Sequence, residues 1–165
     1  MSKSIEIFTI GHSTRSIDAF LELLKHYNIK LVIDVRRWPT SKKFPWFEKE
    51  ALEKALTAAG MQYLHYPELG GYRKEGYENF AKSKEFTKAL MQLIDVIDNK
   101  IVAIMCAERF FWRCHRKFIA NELSKLGYKV VHILDKDKAY EHKPNKDLQE
   151  KMNLRIWCDK KARKY

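Results

Sequence analysis

Short apolar runs alternate along this chain with longer amphipathic stretches, and that alternation is the pattern of βαβ units wound around a mainly parallel sheet. Apolar runs at 5–10, 31–35, 61–66, 101–106 and 129–134 each have strand length. The run at 31–35 is interrupted only by Asp34, as suits a strand covered on both faces. Between the runs, Phe20, Leu23, Leu24 and Tyr27 recur at helical spacing behind the N-cap residue Ser16, and Phe86, Leu90, Leu93 and Ile97 do the same over 83–98. Stretches 47–59 and 113–126, each followed by a glycine, complete the helices. The expected fold is α/β: a single three-layer domain with a mainly parallel central sheet of about five strands and helices on both faces. With 165 residues, 45% of them hydrophobic, and no internal repeat or linker, 1–165 reads as one domain. Residues 135–165 read as a charged C-terminal extension, a peripheral helix or an arm.

In an open α/β sheet the ligand crevice lies outside the carboxyl ends of the strands, so the residues that follow each apolar run are the candidates for chemistry. The first run delivers Gly11, His12 and Ser13, the second Asp34, Arg36 and Arg37, the third His65 and Tyr66, and the fourth Cys106, Ala107, Glu108 and Arg109. His12 and Ser13 are either a base and a hydroxyl near an anion or a capping turn after Gly11. Asp34 is costly inside an apolar run unless something satisfies it, so it is either one half of an ion pair with Arg36 or a catalytic carboxylate. Glu108 leads into the aromatic run Phe110, Phe111 and Trp112, after which Arg113, His115 and Arg116 come at the start of a predicted helix. Cations there oppose the helix dipole and call for a compensating anion, a phosphate or the Glu108 carboxylate.

A net charge of +11 makes polyanions the first partners to consider. The loop 36–46 adds a specific reason, because Arg36, Arg37, Lys42 and Lys43 interleave there with Trp38, Phe44 and Trp46. Cations mixed with stacking faces suit nucleic acid, although such aromatics also serve simply to cover a sheet. Three cysteines, Cys106, Cys114 and Cys158, show neither disulfide-type nor zinc-type spacing. The odd count points to a reducing compartment, and the N-terminus has no signal-peptide pattern, so a cytoplasmic protein without a membrane segment, metal or cofactor is expected. Cys106 as a nucleophile is weighed against a buried strand-end thiol, the commoner outcome.

Together, Thr9-Ile10-Gly11-His12-Ser13, Asp34-Val35-Arg36 with Pro39 and Ser41, Leu69-Gly70-Gly71, and Met105-Cys106-Ala107-Glu108 followed by Cys114-His115-Arg116 resemble the DUF488 family of small α/β proteins. The resemblance runs from Thr9 to about Leu134, with one departure: a proline that the family commonly places between the last two motifs is replaced by Arg109-Phe110-Phe111-Trp112-Arg113. It implies the α/β fold, and, through archaeal relatives linked to removal of oxidised pyrimidines such as 5-hydroxyuracil from DNA, a DNA glycosylase activity.

The residues offer parts for that chemistry. A glycosylase holds phosphates, takes a base out of the stack, and places a carboxylate near the sugar. Glu108 or Asp34 is the candidate catalytic carboxylate, and His12 orients or shuttles a proton. Arg36 and Arg116 are expected to bind flanking phosphates, with Arg37, Trp38, Ser41, Phe44, Gly70, Gly71, Trp112 and His115 completing the substrate-binding set. No lysine stands out as a Schiff-base amine, so a hydrolytic step is expected. DNA is the expected partner, RNA the alternative; a non-catalytic nucleic-acid-binding module and a phosphate-ester hydrolase are the rival functions.

Overall fold

The computed structural model of the protein describes residues 5–143. Strand β1 (Glu6–Gly11) is followed by α1 (Ile17–His26), β2 (Leu31–Asp34), α2 (Lys49–Ala58), β3 (Gln62–His65), α3 (Tyr77–Phe80), α4 (Lys84–Ile97), β4 (Val102–Cys106), α5 (Arg116–Lys125), β5 (Lys129–Asp135) and β6 (Lys138–Glu141). The six strands lie in the order β3-β2-β4-β1-β5-β6. The first five are parallel; β6 turns back antiparallel on β5.

Side chains alternate across β1, and the two cores follow from that alternation. Ile7 joins Leu31, Ile33, Phe86, Leu90, Ile119 and Leu123, the face covered by α4 and α5. Phe8 and Ile10 join Phe20, Leu24, Leu52 and Leu56, the face covered by α1 and α2. Ser16 caps α1 by accepting the Ala19 N–H at 3.1 Å, and Ser83 caps α4 by accepting the Phe86 N–H at 3.2 Å, so the periodic stretches begin where their caps stand. Among the described residues no helix is long and apolar enough to cross a membrane.

The sheet is the mainly parallel one expected, with its sixth strand added at the far edge. Residues 138–141, expected within a peripheral helix or arm, form β6, whose four side chains are all exposed and so carry no apolar pattern to announce a strand. The rest of the extension, from 144 onward, lies outside the described residues. The helix expected over 113–126 starts later, at Arg116, because Phe111–Arg113 form a separate 3-10 turn. Likewise the stretch expected as helix from Phe47 opens with a 3-10 turn, Pro45–Phe47, and α2 starts at Lys49.

Strand order fixes where a ligand crevice can form. The chain leaves β1 toward the α1 face and leaves the neighbouring β4 toward the α5 face, so their connections diverge and open a cleft at the two carboxyl ends. Gly11, the last residue of β1, pairs with Cys106, the last of β4. A Cβ on Gly11 would stand 1.8 Å from the Glu108 carbonyl oxygen and 2.4 Å from its carbon, both backbone atoms. Only a residue without a side chain lets the 108–109 backbone cross here. Gly11→Ala is expected to cost about 3 kcal/mol or more, since the obstacle is main chain that cannot rotate away; urea denaturation measures it, and a loss below about 1 kcal/mol would show that the loop yields.

Candidate active site

Two cavities meet at the carboxyl ends of β1 and β4. The first, about 550 Å³, is walled by His12, Ser13, Ser41, Lys42, Lys43, Phe44 and Arg109. The second, about 430 Å³, is walled by Arg36, Arg37, Trp38, Tyr72, Tyr77, Arg113 and His115, with Cys106 and Cys114 among its lining residues. Ala107 and Glu108 belong to both, so this short segment forms the ridge between them. Each volume suits a small organic group.

Glu108 is half-buried on that ridge, and one of its carboxylate oxygens accepts the Phe110 N–H at 3.2 Å. The ridge is anchored to β1: His12 N–H donates to the Cys106 carbonyl at 2.9 Å and Ser13 N–H to the Ala107 carbonyl at 3.0 Å. Ser13 adopts a left-handed backbone with φ 52°, which a serine does not take without support from such bonds.

Asp34 has no exposed surface. Its two oxygens accept Arg36 Nε at 2.9 Å, Arg36 Nη2 at 2.7 Å and the Tyr63 hydroxyl at 2.6 Å, and Oδ1 also takes the Arg36 backbone N–H at 3.1 Å. The ion pair read from sequence is present, and Asp34 lies behind the cavities rather than in their walls. Its charge instead fixes Arg36, whose Nη1 reaches His12 Nε2 at 3.4 Å. His12 Nδ1–H donates to the Ser13 carbonyl at 2.9 Å, so in the neutral ring Nε2 holds the lone pair. Phe47 stacks on the imidazole with centroids 4.2 Å apart. Burial above all, with help from the Arg36 charge, brings the His12 pKa down to about 4 and keeps the ring neutral at neutral pH.

Arg116, expected at a phosphate, is 1% exposed and is engaged inside the protein. Its guanidinium donates to the Thr9 hydroxyl at 3.1 Å and to the carbonyls of Glu108 at 2.6 Å and Arg109 at 3.3 Å. It holds the ridge from below and has no surface left for a ligand. Trp112 stacks on Phe110, centroids 4.8 Å apart, and lines neither cavity. Gly70 is buried against Arg37, whose Cα and Cβ a side chain there would meet at 2.9 Å; Gly71 leaves room for the His115 ring. Ser41 accepts the Phe44 N–H at 3.1 Å and so shapes the loop beside the first cavity. Arg37, Trp38, Phe44 and His115 do stand in cavity walls.

The sequence did not single out Tyr72. It is 73% exposed, has a left-handed φ of 60°, and lies with its ring 5.5 Å from that of Trp38. Arg37 donates to its carbonyl at 2.8 Å and approaches the Trp38 ring at 5.4 Å. Nor did the sequence single out the buried polar chain beneath the ridge. His142 Nε2 and Asn121 Oδ1 are 2.6 Å apart, His132 Nε2 and His142 Nδ1 2.9 Å, and Thr9 Oγ1 and His132 Nδ1 2.5 Å. Every bond is satisfied if both rings are neutral and donation runs from Arg116 through Thr9, His132 and His142 to Asn121.

The domain is a mainly parallel α/β sheet protein whose carboxylate, neutral histidine and several cations gather where the connections of two strands diverge, the place at which open sheets form their ligand crevice. The profile of the family described as a domain of unknown function, DUF488, matches residues 16–123. The chain belongs to that family. No curated protein and no solved structure gives a significant match.

Two outcomes follow from this geometry. Asp34→Asn leaves Arg36 buried beside an uncharged partner and is expected to cost about 3–5 kcal/mol in denaturant unfolding; a change under about 1 kcal/mol would mean that the pair is dispensable. The second concerns pH. Burial lowers the pKa of His142 to about 4, and that of His132 is also lowered, by burial and then by its neighbours His142 and Arg116. With His12, three histidines are held neutral when folded but titrate near 6.5 when unfolded. Their stabilisation is present above pH 6.5 and is lost as the pH falls below it, over a window that reaches down to about 4 for His12 and His142. Each group weakens the fold by up to about 1.4 kcal/mol per pH unit in that window. Urea midpoints should therefore be level near neutrality and fall steeply from pH 6.5 to 5, less steeply in His142→Gln; a level profile down to pH 5 contradicts the assignment.

Proposed function

We propose that this protein is a DNA glycosylase that hydrolyses the N-glycosidic bond of an oxidised pyrimidine such as 5-hydroxyuracil. The observation that carries the reading is Glu108 on a ridge between a cavity lined by Lys42, Lys43 and Arg109 and a second, aromatic one that sets Trp38, Tyr72 and Tyr77 beside Arg36, Arg37 and Arg113. A nucleotide turned out of the duplex has three parts to place: phosphate, sugar and base. Lys42, Lys43 and Arg109 suit the phosphate, the walls with Trp38, Tyr72, Tyr77 and His115 suit a planar base, and the sugar then falls at the ridge. The net charge of +11 supports a polyanionic substrate over a small neutral one.

In this reading the Glu108 carboxylate stabilises the positive charge that develops on the sugar as the C1′–N bond breaks. Water adds at C1′ and gives up its proton to the Glu108 carboxylate, while the neutral His12, held between Arg36 and the Ser13 carbonyl, orients the wall of the first cavity. Arg36 and Asp34 position the imidazole, a role distinct from the catalytic one expected for Asp34 and the phosphate contact expected for Arg36. The base departs with its charge spread over the ring, beside Arg37 and His115.

The test is alkali-developed strand cleavage of duplex oligonucleotides that carry one 5-hydroxyuracil, uracil or 8-oxoguanine, or no lesion. Lesion-dependent cleavage is expected, reduced about 100-fold or more in Glu108→Gln with DNA affinity retained. Salt-sensitive DNA binding without product would instead identify a binding module. Turnover of simple phosphate esters without action on DNA would identify a hydrolase of another kind.

A further inference from the structure

The two described cysteines come from different elements yet meet. Cys106 is the last residue of β4, Cys114 precedes α5, and the 107–113 segment between them loops back so that their sulfurs lie 2.9 Å apart. Both are among the residues that line the second cavity, although only 3% and 7% of their surface is exposed.

The surroundings of the two sulfurs differ. Cys114 Sγ accepts the Arg116 N–H at 3.4 Å and stands 3.4 Å from His115 Nδ1. Arg116 supplies a second reason for negative charge there. Its guanidinium is buried and donates to a hydroxyl and two carbonyls, all neutral acceptors, so its charge needs an anion close by. Both cysteine sulfurs lie within reach of that charge, and Cys114, which also takes the Arg116 N–H and faces His115, is the better placed of the two to carry the negative charge. Cys106 Sγ has the Cys114 sulfur at 2.9 Å as the near acceptor for its one proton and the Glu108 carbonyl, at 3.6 Å, as a more distant one, and both surroundings favour its protonated thiol.

We infer that Cys106 and Cys114 are an oxidisable dithiol at the wall of the aromatic cavity, in which Cys114 meets a hydroperoxide and Cys106 closes a disulfide onto it. The Cys114 thiolate attacks the terminal oxygen of the hydroperoxide, an S–O bond forms and the O–O bond breaks. The departing alkoxide, or hydroxide from hydrogen peroxide itself, takes up a proton. The Cys106 sulfur then attacks Cys114 Sγ, the S–S bond forms, and the S–O bond breaks to release water with the Cys106 proton. Two thiols are oxidised by two electrons, and one hydroperoxide is reduced to an alcohol and water. From 2.9 Å the sulfurs need approach by less than about 1 Å more.

The ionisation of the pair agrees with this division of roles. Burial alone would push the Cys114 thiol up, but the hydrogen bond from Cys106 and the charges of His115 and Arg116 outweigh it and hold the group well below the usual thiol range. Burial, and then the bond with Cys114, pushes Cys106 up. A thiol of ordinary pKa is only about 3% ionised at pH 7, so a largely ionised one presents many times more nucleophile. Once the disulfide forms, that negative charge disappears from the cavity wall. None of this depends on the glycosylase reading, because the chemistry needs no nucleic acid.

Hydrogen peroxide is the probe, applied to the full chain in a Cys158→Ser background so that only these two thiols remain. At pH 7 both thiols should disappear together, at least about tenfold faster than free cysteine under the same conditions, and return on treatment with dithiothreitol. Peptide mapping should show the 106–114 linkage. In Cys106→Ser, dimedone should capture a sulfenic acid on Cys114. Thiols that react no faster than free cysteine overturn the inference, as does oxidation of either sulfur without linkage to the other. The parent protein decides the matter even if the Cys106→Ser variant does not fold.

Discussion

Arg116 is 1% exposed, and its guanidinium ties the Thr9 hydroxyl on β1 to the carbonyls of Glu108 and Arg109 on the ridge. A hydrogen bond from a charged donor is worth about 1.5–3 kcal/mol in a dry setting, so this one side chain sets the height of the 108–109 backbone above the sheet. Gly11 is the complementary constraint, since any side chain there would collide with the same carbonyl. The ridge is thus pressed from one side and held from the other. Where Glu108 stands, how the two cavities divide and how close Cys106 comes to Cys114 all depend on that position.

Electrostatic order spreads from the same place. Asp34 holds Arg36, Arg36 faces His12, and His12 is fixed by the Ser13 carbonyl and the Phe47 ring. On the other side Arg116 begins the donor chain through Thr9, His132 and His142 to Asn121, over which Phe111 stacks on His132 at 3.6 Å. Buried cations and neutral imidazoles share a small volume, and they coexist because each ring nitrogen of His12, His132 and His142 has one partner of the right kind. The charges at the surface of the cleft, Lys42 and Lys43 on one side and Arg37 on the other, are left for whatever enters.

How far the sequence discloses this depends on what each residue's neighbours in the chain can say. The strands and long helices are legible because burial on two faces leaves runs and periodicities, and Ser16 and Ser83 mark helix starts at their caps. The strand-end rule brings out His12, Arg36 and Glu108 as neighbours, and the two-residue spacing of Asp34 and Arg36 allows their pairing to be foreseen. Depth is another matter. Nothing in Cys-His-Arg tells whether the arginine points out to a phosphate or in beneath a loop, and Arg116 points in. His132 leaves only a faint signal as the one polar residue in its strand's buried run, and its partner His142 stands beyond a turn. The meeting of Cys106 and Cys114 follows from the path of the 107–113 loop, which no spacing rule describes. Tyr72 is hidden for a related reason, since its left-handed backbone sits in a loop whose register comes from tertiary contacts.

The strand that the tail contributes also changes what the sheet offers to its surroundings. Without β6, the outer side of β5 would present open amides and carbonyls along seven residues, most of them buried and apolar. A second chain could align there. Instead that ladder is occupied by Lys138–Glu141, a short strand with four exposed side chains, a lysine and a glutamate among them, and a register shift beside it between Ile133 and Asp135. The opposite edge, β3, is only four residues long. Any strand added in trans would have to lie against these charges or this short margin, and the sheet is therefore closed to growth by edge pairing while its cleft, at right angles to both edges, stays open.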